Sequence, residues 1–231
     1  MQIIYLFSGF KDDCGYPPEI AASLRDNIVD RTAITLIASD PADHHRSDWY
    51  SKMTIDHFRN AGIEFDNVNV LDDRNSADEC VEAVTSAPVV YLMGGRCLLQ
   101  HQFLLNTGMA AALRAHNGVI LGRSAGAINI AKMAFLAPND HKDGIKWRGD
   151  TIADIPAMLY QGTGLLDISV RPHYEKADPH LTDEVLIPFS HKIDIYAMND
   201  DSAIVIKDGE RQYFGEICLI SKGLTTWIKQ K

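Results

Sequence analysis

The residues with the most chemical potential are Gly122-Arg123-Ser124-Ala125-Gly126, a Gly-x-Ser-x-Gly pentad set between the apolar run Val119-Ile120-Leu121 and the helix-forming Ala127-Ile128-Asn129-Ile130. That order describes a nucleophile elbow, in which a buried strand turns sharply into a helix and leaves one hydroxyl standing at the rim of a sheet. Ser124 is the candidate nucleophile. Glycines at 122 and 126 suit a turn that brings backbones close or imposes dihedrals a side chain forbids. The helix that follows turns its free N–H groups toward the reacting centre, and the Ala125 N–H is placed to donate into an oxyanion hole. A pentad this short also arises by chance, and its bland reading is a strand-to-helix turn with a capping serine.

A serine becomes a useful nucleophile when a base takes its proton, and an imidazole does this best when a carboxylate holds its tautomer. The chain has nine histidines. His44, His45, His57, His101 and His116 fall within helices or at their ends and read as solvated surface residues; His141 sits in a polar loop, and His180 and His191 flank a late helix. His173 stands apart because it follows a strand signal directly, with Pro172 stiffening the approach. If that strand joins the sheet parallel to the elbow strand, His173 arrives at the same rim as Ser124. The carboxylate stays open among Asp140, Asp143, Asp167, Asp194, Asp200 and Asp201. A second oxyanion donor is also required, and Gly94-Gly95 offers a bare backbone N–H.

The elements that must position these groups alternate regularly. Apolar runs at 3–7, 32–38, 65–71, 88–93 and 119–121 read as buried strands, with helices between them over about 18–29, 41–60, 76–87 and 97–116. Ser76 and Glu79 have the spacing of a capping box. Trp49, Met53 and Phe58 are assigned to the inner side of the second helix, and Leu98, Gln102, Leu105, Met109 and Leu113 to one face of a single fourth helix. Strands alternating with helices imply an open parallel sheet covered on both faces, with ligands gathered outside the strand carboxyl ends. Ser8-Gly9, Gly94-Gly95 and Ser124 all fall there. Residues 138–155 read as a long polar surface loop, with room for one short strand. Beyond it come a strand near 163–170, a helix near 181–188 and three strand signals at 193–198, 203–207 and 212–220, with Asp208-Gly209 a hairpin turn. No linker or repeat interrupts the chain, so residues 1–231 are read as one α/β domain.

Composition narrows the function classes. A net charge of −9 with no Lys/Arg cluster argues against nucleic acid. No apolar run approaches the roughly 20 residues of a membrane span, and Met1–Phe7 lacks the basic flank of a signal peptide. Cys14, Cys80, Cys97 and Cys218 are widely spaced and read as reduced thiols, with neither a zinc site nor a disulfide indicated. The expected location is cytoplasmic.

The run Val119–Ala127, preceded by Tyr91-Leu92-Met93-Gly94-Gly95 and a long helix and followed by Arg171-Pro172-His173-Tyr174, resembles the aspartyl dipeptidase (peptidase E) and cyanophycinase family of serine peptidases. The resemblance spans most of the chain. It implies a three-layer α/β sandwich like that of the class I glutamine amidotransferases, flavodoxin-like in its mostly parallel sheet, with a serine where those enzymes have a cysteine and a short C-terminal β extension. It implies Ser124 as nucleophile, His173 as base, and Gly95 with Ala125 at the oxyanion hole. For the acid it offers Asp200 or Asp140, and Asp200 is preferred because a strand end is stiffer than the 138–155 loop. Cleavage next to aspartyl residues requires a cation, for which Arg171, Arg96 and Arg123 are available, with Gly94 beside the substrate. Arg96 stands where the family often has Asn or Asp. The resemblance implies a small peptide substrate and no metal or cofactor; a homodimer is left open. The alternatives are an esterase of the α/β-hydrolase type, with Asp140 as acid and His173 or His191 as base, and a noncatalytic relative whose pocket Arg96 fills.

Overall fold

The structure is a computed structural model and describes residues 2–10, 15–138, 146–147, 150–151, 157–174 and 180–228. The first half alternates strands and helices: β1 (Ile3–Phe7), α1 (Pro18–Asn27), β2 (Ile34–Ile37), α2 (His44–Asn60), β3 (Val68–Leu71) and α3 (Ala77–Ser86). It continues with β4 (Val89–Leu92), α4 (Cys97–Asn106), α5 (Met109–Ala115), β5 (Val119–Arg123) and α6 (Ala125–Ile130). The second half is richer in β-structure. It holds β6 (Met133–Leu136), β7 (Lys146–Trp147), β8 (Asp150–Thr151), β9 (Met158–Gln161) and β10 (Ser169–Arg171). A π-helical segment, His180–Leu186, runs into α7 (Ile187–Ser190), and β11 (Ile195–Met198), β12 (Ala203–Lys207), β13 (Glu210–Phe214), β14 (Ile217–Ser221) and β15 (Leu224–Trp227) close the chain.

The expected sheet is present and larger than the sequence alone indicated. Seven strands lie in the order β13-β12-β1-β5-β4-β2-β3. β1, β5, β4, β2 and β3 pair in parallel, while β12 and β13 add an antiparallel flank. The elbow strand β5 is the middle strand of the seven. Two apolar layers show that both faces are covered: Ile4, Leu6, Val90, Leu92 and Ile120 pack with α3 to α6, whereas Tyr5, Phe7, Tyr91, Val119 and Leu121 pack with Ile20, Leu24 and Phe58 of α1 and α2. This is the period of two that a strand imposes on its side chains.

A second sheet, β10-β11-β14-β15, stands beside the first. Its own apolar layer joins Ile195, Ala197 and Ile220 to Leu186 and Phe135. β10 pairs in parallel with β11, with Arg171 opposite Ala197. The strand leading to His173 therefore does not join the central sheet, contrary to the simplest topology the sequence suggests. β6 and β9, which had no clear sequence signal, pair antiparallel, and β7 with β8 forms a short ribbon.

Local expectations meet mixed outcomes, each with a physical reason. The Ser76–Glu79 capping box forms in both directions. Asp208 and Gly209 both take positive φ, 52° and 83°, as a two-residue hairpin turn of the I′ kind requires. The single helix read over 97–116 is two helices, because Gly108 adopts φ 78° and starts a new one. α4 buries Leu98, Phe103 and Leu104 while Gln102 and Leu105 face outward, Leu105 at 52% exposure, and in α5 Met109 and Leu113 stay buried. Trp49 is likewise exposed, while Phe58 is buried as expected, with Thr54 and His57 beside it on the inner face of α2. His57 and His116, read as solvated, are only 4% and 5% exposed. Among the described residues, no helix is long and apolar enough to cross a membrane.

Candidate active site

β5 delivers Ser124 at its carboxyl end, and α6 begins at the next residue. The chain makes this turn on the serine itself, whose backbone sits at φ 50°, ψ −107°. A non-glycine residue in that region costs on the order of 1–3 kcal/mol and persists only where its surroundings enforce it. The enforcement is visible: Ser124 N–H donates to Phe7 O (2.9 Å), and Ile128 N–H donates to Ser124 O (3.0 Å). Neither Gly122 nor Gly126 has a positive φ. Their role is close approach, since a Cβ on Gly126 would lie 2.2 Å from Leu92 O and one on Gly122 would lie 2.6 Å from the Ile130 side chain.

Ser124 holds the N-cap position of α6 but makes no capping hydrogen bond with its side chain. Its Oγ lies 2.8 Å from His173 Nε2 instead. His173 Nδ1 in turn lies 2.8 Å from Asp200 Oδ1. Asp200 sits on the turn between β11 and β12, where the chain crosses from the second sheet into the central one. The same oxygen accepts from Gly9 N–H (2.8 Å) and lies 3.1 Å from Ser8 Oγ.

Electrostatics fix the proton positions. The hydrogen bond from His173 holds the Asp200 carboxyl down at about 2, helped by Ser8 and Gly9 and opposed by burial. An ionised carboxylate only accepts, so the proton of a neutral His173 ring resides on Nδ1 and the Nε2 lone pair faces the serine hydroxyl. A general base for Ser124 requires that tautomer.

The site opens into a cavity of about 290 Å3, near the lower end of small-molecule pockets. Gly94, Gly95 and Ala125 line it beside Ser124, with Tyr91, Arg123 and Arg171 among the walls. The 94–95 turn lies against Ser124: a Cβ on Gly94 would stand 3.4 Å from Ser124 Cβ. Ser39 Oγ donates to Gly94 O (2.8 Å), which ties that turn to the end of β2. Ala125 is the first residue of α6, so its N–H has no partner one turn earlier in the helix.

Arg123 continues the face of Val119 and Leu121, and its guanidinium lies 5.1 Å from the centre of the Phe10 ring. Burial raises the Tyr16 and Tyr91 hydroxyls beside it, so both stay protonated. Arg96 lies outside the cavity lining, with Nε 3.2 Å from Asp40 Oδ2. His191 caps α7 and does not line the cavity either. Asp140, His141 and Asp143 lie outside the described residues. The one group among the described residues with metal-ligand spacing, His44, Asp72 and Asp73, is also away from the lining, and Asp72 is engaged by Arg74.

The residues that sequence reasoning missed are Ser8 as a partner of His173 and Asp200, and Tyr50 and Thr54 as cavity walls. The Ser8 position was legible as a strand end at the ligand rim. Nothing local marks Tyr50 and Thr54.

Comparison with known proteins gives three results. The sequence model of peptidase family S51 matches residues 8–213. No curated protein matches the sequence. Among solved structures, the chain is similar to a peptidase from an acI-B1 Actinobacterium, with a TM-score of 0.72 and 16% identity over 100% of this chain and 95% of that one. It is also similar to a protein assigned as peptidase E from Listeria monocytogenes EGD-e, with a TM-score of 0.65 and 20% identity over 92% of this chain and 98% of that one. At these identities the structural matches speak for the fold.

Proposed function

The chain belongs to peptidase family S51 and is a serine peptidase, and from that premise we propose that it is an exopeptidase acting on small peptides through Ser124, His173 and Asp200. Ser124 Oγ attacks the scissile carbonyl while His173 Nε2 takes its proton, and Asp200 stabilises the imidazolium that results. The backbone N–H groups of Ala125 and Gly95 receive the negative charge on the tetrahedral oxygen. His173 then gives the proton to the departing amine, leaving an acyl-enzyme. Water, deprotonated by His173, attacks that ester, and collapse returns the proton to Ser124 and releases the acid.

The observation that carries this reading is the continuous Asp200–His173–Ser124 chain, 2.8 Å at each step, at the edge of the cavity. The cavity's small volume favours short substrates. Among the described residues lining it, Arg123 and Arg171 are cationic and none is acidic, which supports an acidic side chain next to the scissile bond. Of the three arginines, Arg96 lies outside the cavity lining whereas Arg123 and Arg171 are part of it, so these two are the candidate cations.

The test is a dipeptide screen of Asp-X against Ala-X and Lys-X, with labelling by a fluorophosphonate probe. We expect Asp-X to be hydrolysed fastest and Ser124→Ala to abolish both hydrolysis and labelling. Stoichiometric labelling of the alanine variant would remove Ser124 from the mechanism.

A further inference from the structure

Ser124 is presented by the central sheet, whereas His173 follows β10 and Asp200 follows β11, both strands of the second sheet. A proton-transfer chain built across two sheets needs something that registers one against the other. Displacement of the reacting groups by about 1 Å can cost on the order of a hundredfold in rate.

The residues at that junction are Ser8 and Gly9, which leave the end of β1. β1 is the immediate neighbour of the nucleophile strand, with Phe7 opposite Arg123. Ser8 is fully buried. Its Oγ accepts the backbone N–H of His173 at 2.7 Å, where His173 holds a left-handed φ of 53°. The hydroxyl proton has two acceptors in reach, Met198 O at 3.0 Å and Asp200 Oδ1 at 3.1 Å. The main chain completes the clasp: Ser8 N–H donates to Ser202 O (3.2 Å), Gly9 N–H to Asp200 Oδ1 (2.8 Å), and Asp201 N–H to Gly9 O (2.8 Å). Position 9 has no room for a side chain, since a Cβ there would lie 2.5 Å from Asp200 Oδ1 and 2.7 Å from His173 Cε1.

We infer that Ser8 is a positioning residue of the hydrolytic site, its hydroxyl setting the His173 backbone and the Asp200 carboxylate in register with the strand beside Ser124. The inference rests on the serine-peptidase mechanism proposed above. Ser8 does not line the cavity, so it acts through His173 and Asp200 and not on the substrate. An ordinary buried serine would matter for folding alone; a positioning serine matters for turnover in a protein that is already folded.

Steady-state kinetics on the best dipeptide, with the rate of fluorophosphonate labelling, separate the two. Ser8→Ala is expected to lower kcat and the labelling rate by about 10- to 100-fold while KM and the circular dichroism spectrum stay as in the wild type. Ser8→Thr, which keeps the hydroxyl, restores most of the loss. Ser8→Cys, with a weaker donor and acceptor of similar shape, falls between and serves if the alanine variant does not fold. The decisive arm is the double variant: in a His173→Ala background, Ser8→Ala has no further effect.

Wild-type kcat in folded Ser8→Ala, a raised KM with kcat intact, or an equal loss in the His173→Ala background overturns the role of Ser8 and leaves the mechanism standing. A wild-type protein that neither turns over nor labels at Ser124 overturns the mechanism, and the positioning role with it.

Discussion

His173 Nδ1 and Asp200 Oδ1 are 2.8 Å apart because β10 and β11 run in parallel and end at the same rim, with Arg171 opposite Ala197. The proposed base and acid thus both follow strands of one small sheet, and that sheet brings them to the proposed nucleophile on another.

Asp200→Asn tests that pairing. The amide keeps the shape but can donate to Nδ1, which favours the tautomer that points a proton at Ser124. We expect kcat to fall by about 10⁴, the scale seen when a triad carboxylate is made neutral, with KM little changed. Steady-state kinetics at pH 7 read this directly, and a loss under tenfold would assign the acid elsewhere.

The same carboxylate predicts an acid dependence of stability. Its folded value of about 2 lies below the ordinary 3.8, chiefly through the His173 hydrogen bond. The stabilisation is therefore fully present above 3.8 and is lost as pH falls through about 2. Urea denaturation of the wild type and Asp200→Asn should show a stability gap that closes as pH falls from 3.8 toward about 2. A gap that does not narrow across that range would contradict the assignment.

Arg123 and Arg171 can be separated by substrate choice. If Arg123 reads the acidic side chain, Arg123→Leu should lower kcat/KM for Asp-X by about 10- to 100-fold, the worth of a hydrogen bond to a charged group. Ala-X should change far less. An equal loss on both substrates would make Arg123 a structural cation, and the same comparison with Arg171→Leu would then locate the selective charge.

The elbow packing has its own test. Gly126→Ala would push a methyl to 2.2 Å from Leu92 O, and backbone cannot yield as a side-chain tip does. We expect a loss of about 1–3 kcal/mol or more in denaturant unfolding, with labelling at Ser124 reduced. A variant as stable as the wild type would mean that α6 shifts freely on β4.

Much of this was legible in the sequence for a reason. Four of the five parallel strands, β1, β2, β4 and β5, are largely apolar runs closed by glycine or serine, so their order along the chain and their ligand-bearing ends follow from pattern alone, whereas β3 (Val-Asn-Val-Leu, then Asp72) is less marked. His173 was visible because Pro172 and a strand signal frame it. Pairing between strands distant in sequence leaves no local mark. Nothing at 169–171 says that β10 joins β11 and not the central sheet, and β6 and β9 find each other across more than 20 residues. The break at Gly108 was also hidden, since an apolar period continues on both sides of it. Arg123 was readable after the fact: its parity with Val119 and Leu121 assigns its face once β5 is known to be buried on both sides.

The turn from β11 to β12, with Asn199 N–H bonded to Glu216 O and Asp201 N–H to Gly9 O, stitches the smaller sheet to the larger at the point where Asp200 stands. Turnover is therefore a gauge of that seam. Heat or denaturant that parts the two sheets should silence the protein while the five parallel strands are still folded, so the midpoint for inactivation should precede the midpoint for loss of helical signal.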